Sequence, residues 1–338
     1  MCAIHDICFI REKYPFLRVP SLCYDCVQRT RLFVSAVVSS IALLLRCPEC
    51  FTTASTGASE RELQQVMSAL WDADVNRLKP GRDYAIDLQG RAGYVPTGSN
   101  SATDCAVRPL FKFVDEGRLH GIETFRVFLS LLDNYESSTG IAETVTAEEE
   151  AENRHFLDAV TQTSVMQIAH KFLAERGLAD RSPEGFKRQL YSIWFQLYSR
   201  DNYRGDSSGF EHVFVGETRR GANILGFHNW VQFYLQEKHG HVDYKGYKAQ
   251  RSSRPDDQDH LLTLQFSWKG VVKPMGSSFI GVSPEFEMAV YTVCFLLSRE
   301  RSSNYAMRLD EYSVRLECHR QGNRIGSSYP VLLASNLA

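Results

Sequence analysis

A chain of 338 residues with 43% apolar and 23% charged side chains has material for two cores or one large bilobed core, which excludes wholesale disorder. Its formal net charge of −2 excludes a protein that grips long duplexes by bulk electrostatics, because that mode scales with the number of phosphates neutralised. A local basic cleft stays open to it.

Six of the nine cysteines (Cys2, Cys8, Cys23, Cys26, Cys47 and Cys50) crowd the first fifty residues, leaving Cys105, Cys294 and Cys318 for the rest. Cys23-x-x-Cys26 and Cys47-x-x-Cys50 have the spacing of a zinc ribbon. The insert argues against it. Residues 32–45 (LFVSAVVSSIALLL) form an almost unbroken apolar run preceded by Arg29 and Arg31, the pattern of a secretory signal or short anchor rather than of a metal knuckle. A buried helix and an incorrect start to the reading frame are the remaining alternatives, and residues 1–58 are set apart as an N-terminal segment. The compartment expected from this run is secretory or endomembrane, with a cytoplasmic one as the alternative, and membrane contact follows only if 32–45 is an uncleaved anchor.

Ser59-Glu60-Arg61-Glu62 is a capping box that predicts a helix with Leu63, Val66, Met67, Leu70 and Trp71 on one face, ended by Pro80-Gly81. Residues 89–107, rich in Gly, Ser, Thr and Asn, predict a loop. Helical spacing predicts further helices at 108–116, 121–134, 153–176 and 183–199, the last with Ser182 as N-cap and Pro183 in the first turn. The acidic run Glu148 to Glu152 suits a helix start, where carboxylates complement the dipole, or an ion contact. Residues 59–200 thus make a mainly helical lobe.

After Gly209 the period changes to two: Glu211-Val213-Val215, Leu262-Leu264-Phe266-Trp268 and Val314-Leu316-Cys318 alternate with their neighbours, which predicts strands bounded by turns such as Lys269-Gly270 and Gly322-Asn323. Helices are predicted at 227–238 and at 284–298, the second capped by Ser283 with Pro284 following. Helices first and antiparallel strands later give the α+β class. Residues 201–335 would be a β-rich lobe.

Two histidines, a lysine and a late Ser/Tyr pair carry the chemistry. His212 lies in Gly209-Phe210-Glu211-His212-Val213-Phe214-Val215-Gly216-Glu217, His228 in Phe227-His228-Asn229-Trp230, Lys273 in Lys273-Pro274-Met275-Gly276-Ser277, and the pair in Ser327-Ser328-Tyr329-Pro330. Two imidazoles that titrate near neutrality can pass protons to and from a sugar hydroxyl and a leaving oxygen. A lysine can hold the charge on a phosphorane-like transition state. Taken singly, His212 reads as a half-buried strand histidine beside Phe210 and Phe214, His228 as a residue at a helix start, and Lys273 as an ordinary turn lysine. His239 and His241 in a Gly-containing turn read as surface, and Tyr198, Tyr203, Tyr244 and Tyr247 as core aromatics or base-stacking platforms.

These segments, together with Val242 to Tyr247 and Lys273 to Phe286, resemble the EndoU family of uridylate-specific endoribonucleases, in the family's order, over roughly Ser59 to Val331. The resemblance implies an α+β fold in which a helical N-terminal layer precedes antiparallel sheets with packed helices, and a cleft in the C-terminal lobe with ribonuclease A-like chemistry. It implies cleavage of single-stranded, uridine-containing RNA through the 2′-hydroxyl to a 2′,3′-cyclic phosphate, with no action on DNA expected, by a monomer. His212, His228 and Lys273 fall on the catalytic positions, with His228 favoured as base and His212 as acid. Ser277 and Tyr329 fall where the uracil and sugar are held, and Ser327 stands where the family often has threonine. Glu211 and Glu217 are expected to orient the first histidine or to draw in a cation. The implied cofactor is Mn²⁺ or Ca²⁺ as an activator outside the catalytic centre. A non-catalytic RNA-binding protein or a secreted binding protein on the same fold is the alternative.

Overall fold

The computed structural model describes residues 58–96, 99–201, 205–249 and 255–335. The zinc-ribbon and signal-segment expectations lie outside them, as does Tyr203.

The first helix, α1 (Glu60–Ala73), opens with the expected box: Ser59 Oγ accepts from Glu62 N and the Glu62 side chain accepts from Ser59 N. It buries the anticipated stripe from Leu63 to Trp71. It stops at Ala73, short of Pro80. The helix expected at 108–116 is instead strand β2 (Phe111–Val114), paired antiparallel with β1 (Tyr84–Ile86) before α2 (Glu116–Gly121) begins. The main-chain N–H groups of Leu110 and Phe111 donate to the buried Glu237 carboxylate at 2.7 and 3.0 Å, which holds the start of this strand beside β1. Helix α3 (Glu123–Leu129) is shorter than the predicted 121–134.

The single helix expected at 153–176 is two, α4 (Ala147–Thr161) and α5 (Ser164–Glu175). Thr163 is the reason for the break, since its hydroxyl accepts from Met166 N and caps the second helix. The acidic run begins α4, with Thr146 and Glu149 forming a second capping box. Helix α6 (Pro183–Trp194) has the Ser182 cap and first-turn proline foreseen for it.

The largest correction falls on residues 211–215. They form one turn of π-helix (Glu211–Val215), and β3 (Ser138–Thr139) with β4 (Thr218–Arg219) and β5 (Asn223–Ile224) makes a small sheet beside it. Ser208 Oγ accepts from Glu211 N while Glu211 Oε2 accepts from Ser208 N, so the turn starts with a capping exchange. It closes where Gly216 N, at φ 95°, donates to Glu211 O five residues back (2.8 Å). Apolar alternation imitated a strand because Phe210, Val213, Phe214 and Val215 are all buried. Phe210 alone packs against the rings of Phe128, Tyr135, Phe156, Phe195 and Phe214.

The strand expectations further on hold. Strands β6 (Val242–Lys248), β7 (Leu261–Trp268) and β8 (Val271–Phe279) form one antiparallel sheet, and β9 (Ser302–Leu309), β10 (Tyr312–Gln321) and β11 (Arg324–Ser335) another. Their near edges, β8 and β11, lie against each other. Helix α7 (Trp230–Lys238) precedes the first sheet, and α8 (Pro284–Leu297), capped by Ser283, joins the two. One continuous core runs from Leu63 to Ile325, so helical and β-rich parts share it. Tyr244 and Tyr247 belong to its buried residues, Tyr198 is buried beside it, and none of the three is a platform for bases. No helix among the described residues is long and apolar enough to cross a membrane.

Candidate active site

The π-turn and the segment before α7 are stitched together by main-chain bonds: Phe227 N donates to His212 O (3.2 Å) and His228 N to Val213 O (3.1 Å). Glycine makes this approach possible, because a Cβ on Gly226 would stand 2.1 Å from His212 O. Phe227 adopts φ 105°, a conformation that costs a non-glycine residue energy and that these two bonds enforce. The imidazoles of His212 and His228 consequently lie side by side, ring centroids 6.2 Å apart.

Each ring has one nitrogen committed. His212 Nδ1–H donates to Glu217 Oε2 (3.1 Å), and the other oxygen of that carboxylate meets Arg200 Nε at 2.7 Å. His228 Nδ1–H donates to the main-chain oxygen of Ser277 (3.2 Å). In both rings Nε2 is left for a substrate. Burial, reinforced by the charges of Arg200 and Lys273, holds the pKa of His212 well below the ordinary histidine value. Burial, with Lys273 and His212 adding to it, does the same for His228. His228 is not at a helix start as expected: α7 begins at Trp230, and Asn229 is its N-cap, accepting from Gln232 N. Desolvation rather than the helix dipole keeps its imidazole neutral.

Lys273 Nζ donates to the carbonyls of Ile224 and Leu225 at 3.1 and 3.0 Å, which aims the ammonium and leaves its third proton free. Burial lowers its pKa to about 8. Lys273 and Ser277 both come from β8, and Ser327 and Tyr329 from β11, so the edges of the two sheets wall one cavity of about 650 Å³. Tyr329 lies parallel to His228, centroids 4.7 Å apart and planes at 13°. Ser277 Oγ sits 2.9 Å from Thr263 Oγ1.

Glu217 and Glu211 part company here. Glu217 orients His212, accepting also from Ser207 Oγ, and burial raises its carboxyl to about 7 against the pull of Arg200. Glu211 points away, caps its own turn and carries a buried oxygen without a partner; burial and then Glu217 keep its pKa well above the carboxylate range. Neither is arranged for a cation. Among the described residues no group of three or more His, Cys, Asp or Glu side chains is placed to hold a metal ion, His239 and His241 included. The acidic run is spent on α4, with Glu150 on Arg154 and Glu152 on Asn134. The Mn²⁺ or Ca²⁺ expectation therefore finds no fitting donor set among them.

His319 was not singled out in the sequence, yet it lines the same cavity, with Nδ1 2.7 Å from Ser302 Oγ. The signal was available: on β10 it alternates with Cys318 and shares a face with Arg315 and Glu317, and its register partner is Ser327. Arg200 was missed as well, because no local pattern ties it to Glu217 across sixteen intervening residues.

The family model described as Endoribonuclease XendoU matches residues 62–330. The chain is 58% identical over 285 residues to the poly(U)-specific endoribonuclease-B of Xenopus laevis, covering 84% of this chain and 98% of that one. It is 54% identical to the uridylate-specific endoribonuclease C of Danio rerio, over 84% of this chain and 93% of that one. A solved structure of XendoU, titled a splicing-independent snoRNA-processing endoribonuclease, superposes with a TM-score of 0.74 at 55% identity, covering 83% of this chain and all of that one.

Proposed function

Since the chain belongs to the XendoU family of endoribonucleases, we propose that it cleaves single-stranded RNA at uridylates, with the substrate's own 2′-hydroxyl as nucleophile. The observation that carries this reading is the pairing of His212 and His228, each with Nδ1 committed and Nε2 free, beside an aimed lysine. His228, whose partner is a neutral carbonyl, is suited to stay unprotonated and accept the 2′-hydroxyl proton at Nε2. The hydroxyl oxygen then attacks phosphorus and the bond to the 5′-oxygen breaks, closing a 2′,3′-cyclic phosphate. His212, whose ring is held by the bond from Nδ1–H to Glu217, gives that departing oxygen a proton from Nε2. Lys273 meets the charge that develops on the non-bridging oxygens. No step needs a metal ion.

Ser277, Ser327 and Tyr329 would hold the uracil and ribose in the cavity, as the splayed bases of single-stranded RNA require. The reading includes a monomer and, from the apolar run at 32–45, a secretory or endomembrane location, which mass spectrometry of the natural N-terminus would check. The functional test is incubation with a labelled oligonucleotide bearing one uridine, beside a copy with 2′-deoxyuridine there. A cut only in the ribose substrate, ending in a cyclic phosphate, is expected. Cleavage of the deoxy substrate would overturn the 2′-hydroxyl mechanism, and an uncut ribose substrate would favour the RNA-binding alternative.

A further inference from the structure

Thr263 and Ser277 are register partners on β7 and β8, both line the cavity, and their hydroxyl oxygens are 2.9 Å apart. Ser277 has two separable roles in this arrangement. Its main-chain oxygen accepts from His228 Nδ1, while its side chain faces only Thr263 among the hydrogen-bond partners found for it. A serine hydroxyl by itself has three staggered positions and rotates its proton freely. A β-branched threonine is stiff at χ1, so its oxygen is a fixed point from which the serine can be held.

We propose that Thr263 is a positioning residue for base selection, holding the Ser277 hydroxyl so that it reads the edge of a uracil and disfavours cytosine; this rests on the reading of the protein as a uridylate-specific nuclease. The two bases differ at N3 and C4. Uracil offers an N3–H donor and a C4 carbonyl, whereas cytosine offers a bare N3 and an amino group; a Ser277 hydroxyl whose proton is given to Thr263 Oγ1 turns only its lone pairs to the base, which accepts from uracil N3–H and has no proton for the bare N3 of cytosine, and a freely rotating hydroxyl makes no such distinction. Because the link to His228 is through the main chain, loosening the Ser277 side chain leaves the proton-transfer geometry intact.

The test compares kcat/KM on matched oligonucleotides bearing one uridine or one cytidine. Thr263→Val keeps the shape and removes the hydroxyl; it should lower the uridine-to-cytidine ratio by about fivefold to tenfold, the size of one neutral hydrogen bond. The change should appear in KM, with kcat on uridine and its pH profile unchanged, and Thr263→Ser, which keeps the hydroxyl but loses the β-branch, should recover only part of the ratio. In a Ser277→Ala background, Thr263→Val should cause no further loss of the ratio, since its effect passes through Ser277. A ratio unchanged in folded Thr263→Val, or equal loss on both substrates, overturns the proposal; Thr263→Ala serves the same comparison if the valine variant does not fold. If wild type itself shows no preference for uridine, the functional reading fails instead, before any variant is compared.

Discussion

The two histidines occupy neighbouring segments that are built in opposite ways. His212 rides on a buried π-turn and is oriented by another side chain, the carboxylate of Glu217, which in turn leans on Arg200. His228 stands in the irregular segment between a strained Phe227 and the cap of α7 and is oriented by main chain, the oxygen of Ser277. A histidine held by an ionisable side chain has a proton affinity that one substitution can retune. One held by a carbonyl does not, and in the proposed mechanism this contrast assigns the acid and the base in a pair that looks symmetrical.

The contrast breaks most completely if either ring is removed. His212→Ala and His228→Ala should each lower kcat by about 10²–10⁴-fold while circular dichroism and thermal unfolding stay close to wild type. Full activity in either folded variant would remove that histidine from the mechanism. Next comes the seam between the segments: Gly226→Ala, with no room beside His212 O, should cost about 3 kcal/mol in urea unfolding and at least about tenfold in kcat/KM, as the rings separate. A tolerated alanine would mean that the spacing is not set there.

Retuning the acid alone sharpens the comparison. Glu217→Gln keeps an acceptor for His212 Nδ1–H but withdraws the charge that favours the imidazolium, so kcat should fall about tenfold and the alkaline limb of kcat/KM should move to lower pH. Ser277→Ala, which leaves the carbonyl on His228, should not move that limb. Lys273→Arg should shift it the other way: the lysine loses its proton as pH rises through about 8, whereas a guanidinium keeps its charge. An unmoved limb in Lys273→Arg would show that lysine ionisation does not shape the profile.

Legibility followed the range of the interactions. Capping boxes at Ser59 and the Ser283-Pro284 start were readable because each lies within four residues, and the two late sheets were readable because burial on one face imposes a period of two. The π-turn was misread although Ser208 and Glu211 stand in capping-box spacing, because apolar residues on every side of a buried turn satisfy a strand pattern equally well. The candidate catalytic positions were proposed from the resemblance. Their supports, Arg200 behind Glu217 and Thr263 behind Ser277, join residues well separated in the chain, and only the assembled sheets and turn reveal them.

The smallest expected effect lies behind α7. Asn229 donates from Nδ2 to the wholly buried Glu287 Oε2 at 2.7 Å, and burial raises the Glu287 pKa to about 8 from an ordinary 4.5. Between those values the folded chain keeps a proton that the unfolded chain has released, so stability falls as pH rises from 4.5 to 8. Glu287→Gln should flatten that slope, so that its stability relative to wild type is greater at pH 8 than at pH 5 in urea unfolding. An equal slope in both proteins would place the charged carboxylate in the folded state.

The two bonds from Phe227 and His228 to the π-turn belong to the peptide backbone, and every residue type except proline can make them. The spacing of the two imidazoles is thereby uncoupled from side-chain identity at Val213, whose carbonyl takes one of these bonds, and at Phe227, whose N–H gives the other. Substitutions drifting into those positions over evolutionary time, or introduced in a library, would be filtered by whether the domain stays folded, and the survivors would inherit the same distance between proton donor and acceptor.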